Sequence, residues 1–401
     1  MSTLYFSIGK EALLPCEELL EVESSRRKLL IGIPGESDPC ENRIALTPET
    51  VGVLVQHGHQ VMVEKQAGED ANYTDLQYSE AGADIVERSD VYHADILFKI
   101  NPPDINEIEL MKDRQLLFSY LPGYQLSEKY IRRLAGKHIT AIAFENMKDR
   151  FGCYPLVRIM SEIAGNVSIQ IAAEYLSKPS DGKGILLGGI SGVSPAEVVI
   201  VGSGTAAEFA ARSALGLGAS VRVFDNSVHR LQRLQGNLGV RLYTSVLHPQ
   251  ALAKALASAD ALIGAAYIDG YQYQCLITEE MVTHMKQGTV IVDLSINQGG
   301  CCETSEIRTL AAPVIVKHGV VHYCVPNITS RVPRTASMAI SNILVNMILS
   351  MGEQGSLAIW LKSNADLRNG VYMFNGILTN SHIGNLYGIP FQDIHLLMAA
   401  F

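Results

Sequence analysis

Val199-Ile-Val-Gly-Ser-Gly-Thr-Ala-Ala207, followed by Val221-Arg-Val-Phe-Asp225, is the stretch that decides the fold. An apolar strand runs into a glycine turn that opens a helix, and a second apolar strand then ends on an acid. Strand, turn, helix, strand and terminal acid in this register read as a dinucleotide site. Gly202 permits the sharp turn out of the strand, and Gly204 removes the Cβ that would hold the backbone away from a pyrophosphate. The helix N-terminus that follows offers free N–H groups to an anion. Ala207 stands where a third glycine is usual and is small enough for the helix to pack closely on the strand. Asp225 would accept both ribose hydroxyls and repel a 2′-phosphate, which favours NAD over NADP.

Working outward, 401 residues are enough for two or three domains, and an apolar fraction of 47% with mixed charge is that of a globular enzyme. A formal charge of −9 argues against a nucleic-acid surface, because the only short basic cluster is Arg26-Arg27-Lys28. The most apolar helical run, Ala339 to Met351, is interrupted by Ser341, Asn342 and Asn346 and is too short for a membrane span. The N-terminus mixes Leu14, Leu19 and Leu20 with Glu11, Glu17, Glu18 and Glu21, so residues 1–28 read as a retained extension with a surface helix. Seven scattered cysteines without zinc-type spacing point to a reducing, cytoplasmic compartment and to no metal site. Adjacent Cys301 and Cys302 read as ordinary buried thiols.

Strands are expected at Leu29–Ile33, Gln60–Glu64, Asp95–Ile100, Gln115–Leu121 and Ile139–Phe144, with helices beginning near Pro48, Thr74, Ile105 and Ser127. A long helix is expected over Leu156–Ser177, then a glycine-rich loop from Gly182 to Gly192. A second series of strands follows near 197–201, 220–224, 240–244, 261–265, 289–294 and 320–324, enough for a complete doubly wound sheet. A second long helix over Thr335–Met351 leads into a tail too small for its own domain. The fold class is therefore α/β, with two doubly wound parallel-sheet domains joined by long helices. A Rossmann-type NAD domain (156–333) is inserted in a substrate domain made of 29–155 and 334–401, and the cleft between them is the expected active site.

Beyond the fingerprint, the chain carries Glu41-Asn-Arg-Ile-Ala-Leu-Thr-Pro48, Ala67-Gly-Glu69, Leu97-Phe-Lys-Ile100, Met160-Ser-Glu-Ile-Ala-Gly165, Gly188-Gly189, Gln298-Gly-Gly-Cys301 and Tyr323-Cys-Val-Pro-Asn327. In this order, from about residue 30 onward, they resemble the alanine dehydrogenase family, which is related to the α-subunit of nicotinamide nucleotide transhydrogenase. The resemblance implies NAD-dependent oxidative deamination of L-alanine to pyruvate and ammonia, with a small amino or keto acid as the only partner besides its own copies in a homohexamer. It implies that Arg43 pairs with the substrate carboxylate and that Lys99 binds the carbonyl oxygen, roles that suit a guanidinium fork and an ammonium. It places cofactor contacts at Ser161, Gly202, Gly204, Thr205, Ala206, Asp225, Arg230, Ala266, Tyr267, Leu294, Ile296, Asn297, Val325, Asn327 and Ile328. Arg230 is open to a second reading as a helix-surface charge.

Two positions depart from the family pattern. Pro122 stands where the resemblance expects a catalytic histidine, and Asn297 stands where it expects an aspartate before Gln-Gly-Gly. Neither side chain can transfer a proton at neutral pH. Asp293, four residues before Asn297, and His322 are the neighbouring alternatives, each with a structural reading beside the catalytic one. His57, His59, His93, His229 and His284 read as surface residues of helices. The loop Gly270-Tyr-Gln-Tyr-Gln-Cys275 lacks the basic residue that the family usually carries there. Three functions stay open: an alanine dehydrogenase, a dehydrogenase for another amino or keto acid, and an NAD-binding homologue with impaired chemistry serving as sensor or assembly partner.

Overall fold

The computed structural model describes residues 28–122, 126–266 and 275–399. Two sheets account for its strands. The first uses β1 (Leu30–Ile33), β2 (Gln60–Glu64), β3 (Asp84–Val86), β4 (Ile96–Phe98), β5 (Leu116–Ser119) and β6 (Thr140–Ala143). The second uses β7 (Glu197–Val201), β8 (Ser220–Asp225), β9 (Tyr243–Val246), β10 (Ala261–Gly264), β11 (Val290–Asp293), β12 (Val314–Lys317) and β13 (Val320–Tyr323). The chain then returns to the first sheet with β14 (Val371–Phe374) and β15 (Ile377–Leu378).

The strand orders are β15-β14-β6-β5-β4-β1-β2-β3 and β12-β13-β11-β10-β7-β8-β9. Each has a point where the winding reverses, between β1 and β4 in the first sheet and between β7 and β10 in the second. Such a point opens a crevice at the carboxyl ends of the strands, where ligands of α/β sheets bind. The central strands β5, β6, β10 and β11 are buried along their whole length, as parallel strands covered on both faces must be.

The two-sheet α/β architecture agrees with the sequence reading, and the differences are local. Both sheets are mixed, because β12 pairs antiparallel with β13, and β14 pairs antiparallel with β6 and β15. The strand expected at 240–244 lies at Tyr243–Val246, and β3, β12, β14 and β15 were not expected. β3, β9 and β12 are edge strands of three or four residues with no fully buried position, too short to show a period-two pattern. Thr74 and Ser127 do start helices, as N-caps accepting from Gln77 N and Tyr130 N. His59 is buried rather than exposed: it follows the helix Pro48–Gln56, and its Nδ1 accepts from Leu29 N at 3.3 Å.

Two long helices, Pro155–Leu176 and Pro333–Glu353, run between the sheets. The second has 21 residues, so by length and composition alone it could cross a membrane, which corrects the shorter run read from sequence. Its Ile340, Leu344, Met347, Ile348 and Met351 lie in the core around the first sheet. Its Ser337 and Ser341 accept from Ile44 N and Thr47 N, satisfying two backbone donors that the loop after β1 would otherwise bury unpaired.

The first long helix crosses the dinucleotide helix Thr205–Gly216 at Gly165. A Cβ at Gly165 would stand 2.3 Å from Ala206 O and 2.9 Å from Ala210 N. The facing helix buries a row of small residues, Ala207, Ala210, Ala211 and Ala214, which makes the approach possible. The obstructing atoms are backbone and cannot rotate away. Gly165→Ala is therefore expected to destabilise the protein by about 1–3 kcal/mol through overpacking, read as a lower urea midpoint at unchanged m-value.

Candidate active site

The second sheet's crevice is built on the fingerprint. Gly202 has φ +110°, and a Cβ there would sit 2.3 Å from Ala265 O, so the turn at the β7/β10 reversal admits only glycine. Gly204 caps the helix Thr205–Gly216, and a Cβ on it would meet nothing within 4 Å, which leaves the helix N-terminus open to an anion. Asp225 ends β8 and is 6% exposed, its Oδ1 accepting from Ser227 N at 2.7 Å. Arg230 Nε lies 3.8 Å from the same oxygen, so this arginine is an ion-pair partner of Asp225. Ala266 follows β10, Leu294, Ile296 and Asn297 follow β11, and Val325, Asn327 and Ile328 follow β13, all at the carboxyl edge. Thr205 and Ala206 form the first turn beside Gly204, while Ser161 lies on the first long helix with its hydroxyl on Val157 O. Tyr267 and the segment Gly270–Gln274 lie outside the described residues.

An open cradle at Gly204, a strand-end acid at Asp225 and two orphaned buried atoms suit a dinucleotide. The orphans are Ser203 Oγ in the glycine turn and Asn297 Oδ1, both without a hydrogen-bond partner. A buried acceptor without a donor costs about 1–3 kcal/mol, so Asn297 Oδ1 is poised for a donor brought by a ligand. The strand does not continue to Asn297: β11 stops at Asp293, and Ile296–Gln298 forms a 3-10 turn.

The neighbouring acid and histidine are structural. Asp293 accepts from Ser295 N, Cys301 N and Ser305 Oγ and so ties the loop after β11 together. Both nitrogens of His322 are engaged, Nε2 with Thr304 Oγ1 at 2.8 Å and Nδ1 with Val320 O at 3.0 Å, and burial lowers its pKa. Asp293, Cys301 and Cys302 do bring three potential metal ligands within 4.8 Å of one another, although no sequence spacing announced them. The hydrogen bond with Cys302 and burial push the Cys301 thiol far above its usual range.

The first sheet's crevice holds buried charge. Lys99 follows β4 and is 1% exposed, with Nζ 2.8 Å from Glu36 Oε2 and 3.8 Å from Glu107 Oε1. Glu36 follows β1 across the reversal and also accepts from Ile100 N at 2.7 Å and Asn101 N at 3.2 Å. Glu107 is held in turn by Ser37 and Arg88. Burial raises the Glu36 carboxyl to about 7, with Lys99 pulling it down and Glu41 pushing it up.

Arg43 is gripped by Glu41 as a fork, Nε to Oε1 at 2.7 Å and Nη2 to Oε2 at 2.5 Å. Its Nη1 donates to Thr329 Oγ1 at 2.9 Å and reaches Met160 Sδ at 3.4 Å. Burial opposes its charge, but the pull and hydrogen bonds of Glu41 carry its pKa above the usual arginine value. Glu41 also accepts from Asn327 Nδ2 at 2.6 Å, so this pair links the loop after β1 to the segment after β13. Arg43 and Lys99 therefore share one crevice, and Asn327 connects that crevice to the other.

Sequence reasoning overlooked Glu36, Glu41 and Glu107. Glu36 and Glu41 in the loop after β1, beside Arg43 and followed in the chain by a lysine at the end of an apolar strand, were the available signal. Pro122 is buried just beyond β5, and the preceding amide, Leu121 N, donates to the Glu145 carboxylate at 3.1 Å and 3.2 Å. Burial raises that carboxyl to about 7.

Comparison with known proteins agrees with this geometry. Residues 32–164 match the model for the alanine dehydrogenase/PNT N-terminal domain, and residues 168–381 match that for the C-terminal domain. An alanine dehydrogenase of Staphylococcus saprophyticus subsp. saprophyticus is 40% identical over 368 residues, covering 91% of this chain and 99% of that one. Alanine dehydrogenase 2 of Staphylococcus aureus (strain USA300) is 38% identical over 366 residues, covering 91% and 98%. A solved L-alanine dehydrogenase superposes with a TM-score of 0.84 at 36% identity, covering 89% of this chain and 99% of the other. A transhydrogenase from Sinorhizobium meliloti does so with a TM-score of 0.76 at 25% identity, covering 88% and 99%. With both halves of the family pattern matched in order across most of its length, the chain belongs to the alanine dehydrogenase/PNT family.

Proposed function

We propose that this protein is an NAD-dependent alanine dehydrogenase, interconverting L-alanine and pyruvate with ammonia. The observation that carries the reading is the joining of the two crevices: the Glu41–Arg43 fork reaches the cofactor-side Asn327 through a hydrogen bond, and the Lys99–Glu36 pair lies in the same first-sheet crevice as the fork. The division into a substrate unit (29–155 and 334–401) and an NAD unit (156–333) follows the two sheets and belongs to the proposal. So do a cytoplasmic setting and a homohexamer, which light scattering of the purified protein tests directly.

The bound dinucleotide would be held by Gly202 to Ala206 at its phosphates and by Asp225 at its ribose, and it supplies the hydride acceptor. The chain's own residues do the rest. Arg43 has spent its Nε edge on Glu41, so the Nη1 side, with Thr329, remains for the substrate carboxylate. Lys99 stabilises negative charge on the substrate oxygen. Asn297 Oδ1, lacking a donor, accepts from the substrate nitrogen or from the attacking water and orients it without taking its proton.

Alanine-dependent NADH formation is the direct test. Arg43→Lys removes the fork and is expected to raise KM for alanine and pyruvate about 10–100-fold, the cost of a lost charge-assisted hydrogen bond. Asp225→Ser is expected to raise KM for NAD about tenfold or more while improving use of NADP, so the ratio of the two kcat/KM values shifts towards the phosphorylated cofactor.

Pro122 and Asn297 favour one competing reading, an NAD-binding homologue in which chemistry has been lost. It predicts calorimetric NAD binding with no turnover of any amino or keto acid, and recovery of turnover in the double variant Pro122→His/Asn297→Asp. Turnover by the unmodified protein excludes it.

A further inference from the structure

We infer that Lys99 and Glu36 form a proton relay, in which a proton leaving the substrate oxygen passes through Lys99 Nζ to the Glu36 carboxylate. The inference rests on the alanine dehydrogenase reading and supplies a proton acceptor that Pro122 and Asn297 cannot provide.

Three acid–base pairs surround this crevice among the described residues, and only one of them has a base that can give up a proton. Arg43 faces Glu41 and Arg88 faces Glu107, and a guanidinium stays charged. Lys99 faces Glu36, and an ammonium can give a proton up. Glu41 has both oxygens filled by the Arg43 fork, with Asn327 and Ser330 added. Glu107 takes Ser37 and Arg88 on one oxygen and Asp104 N on the other. Lys99 Nζ is hydrogen-bonded to Glu36 Oε2 at 2.8 Å, whereas it stands 3.8 Å from Glu107 Oε1, so Glu36 is the acid in direct reach of its protons.

The charged groups around Glu36 come from each neighbouring element. Lys99 lies at the β4 end, and Glu41 and Arg43 lie farther along its own loop. Glu107 on the helix Ile105–Leu110, with Arg88, lies beyond Lys99. Asp38 joins through Asn101 Nδ2, and Glu64 at the β2 end holds Gly35 N. The acids outnumber the bases in this set, and burial with Glu41 nearby raises Glu36 to about 7.

The proton bookkeeping closes within the site. In deamination, the tetrahedral intermediate carries a hydroxyl and a protonated amine on the same carbon. The C–N bond breaks and its electron pair leaves with ammonia while the C–O bond becomes a carbonyl. The hydroxyl proton goes to Nζ as Nζ passes one of its own protons to a Glu36 oxygen. Amination runs the same transfers backwards, with protonated Glu36 as the source. Deamination therefore needs Glu36 as a carboxylate, and its kcat rises with pH through about 7 to a plateau. Amination needs the acid, and its kcat falls across the same range.

Glu36→Gln keeps an acceptor for Lys99 but cannot take the proton. Expected are a loss of kcat of about 10²–10⁴-fold, a much smaller change in KM for pyruvate, and disappearance of the pH limb near neutrality, with Glu36→Asp restoring part of both. Difference infrared titration of the protein without substrate gives a second readout: the carboxylic acid absorbance that titrates near neutrality loses the Glu36 component in E36Q and keeps that of Glu145. NADH binding serves as the folding control. If E36Q fails that control, the parent's own kcat profile decides, and a flat profile through neutrality overturns the relay. Parent turnover with an unchanged pH profile in E36Q overturns the relay alone. No turnover by the parent overturns the function and the relay together.

Discussion

The paired burial of Glu41 and Arg43 is the constraint on which the arrangement of the two sheets depends. Neither charge tolerates the interior alone, because an unpaired buried ion costs several kcal/mol. Together they form a fork whose outer atoms still need partners, and these come from the far side of the chain: Asn327, Thr329 and Ser330. Asn42 adds two more bonds to Ser330 across the same seam, from its backbone N and from Nδ2. The loop after β1 can thus satisfy its polar groups only when the segment after β13 stands beside it. Polar satisfaction, more than apolar area, fixes where the two crevices meet.

Both crevices arise from the same accident of winding. A sheet that grows first to one side and then to the other leaves two neighbouring strand ends whose connections part in opposite directions. In the second sheet the gap is filled by a glycine turn with no side chain, which leaves room for a large ligand. In the first it is filled by a lysine and a glutamate, which place a buried ion pair there. One geometric rule gives two chemically different crevices because the residues at the gap differ.

What the sequence revealed follows from how local each signal is. The fingerprint from Gly202 to Asp225 is local: one strand, one turn and one helix define it, and Gly202 does hold a positive φ. Lys99 and Arg43 were legible as residues but not as a network, because Glu36, Glu41 and Glu107 look like loop or helix-surface acids until β1 and β4 are placed side by side. His322 and Asp293 offered the opposite difficulty. Both have chemistry suited to catalysis, yet their partners Thr304, Ser305 and Cys301 lie in a loop whose path no periodicity predicts. The strand β12 was missed because its residues are half-exposed on a sheet edge, where apolar alternation fades. Gly165 lies inside the expected helix Leu156–Ser177, where only the opposing backbone of Ala206 gives the glycine its meaning.

The return of β14 and β15 to the first sheet has a consequence for how the chain is made. β14 pairs with β6, yet the whole second sheet is synthesised between them. During translation the first sheet stands with β6 as an open edge while the second sheet, contiguous in sequence, can already close around its own core. An open edge strand is a site for mispairing with other chains. The strand that covers it is made only after the whole second sheet, so the nascent protein carries this open edge from the emergence of β6 until β14 follows.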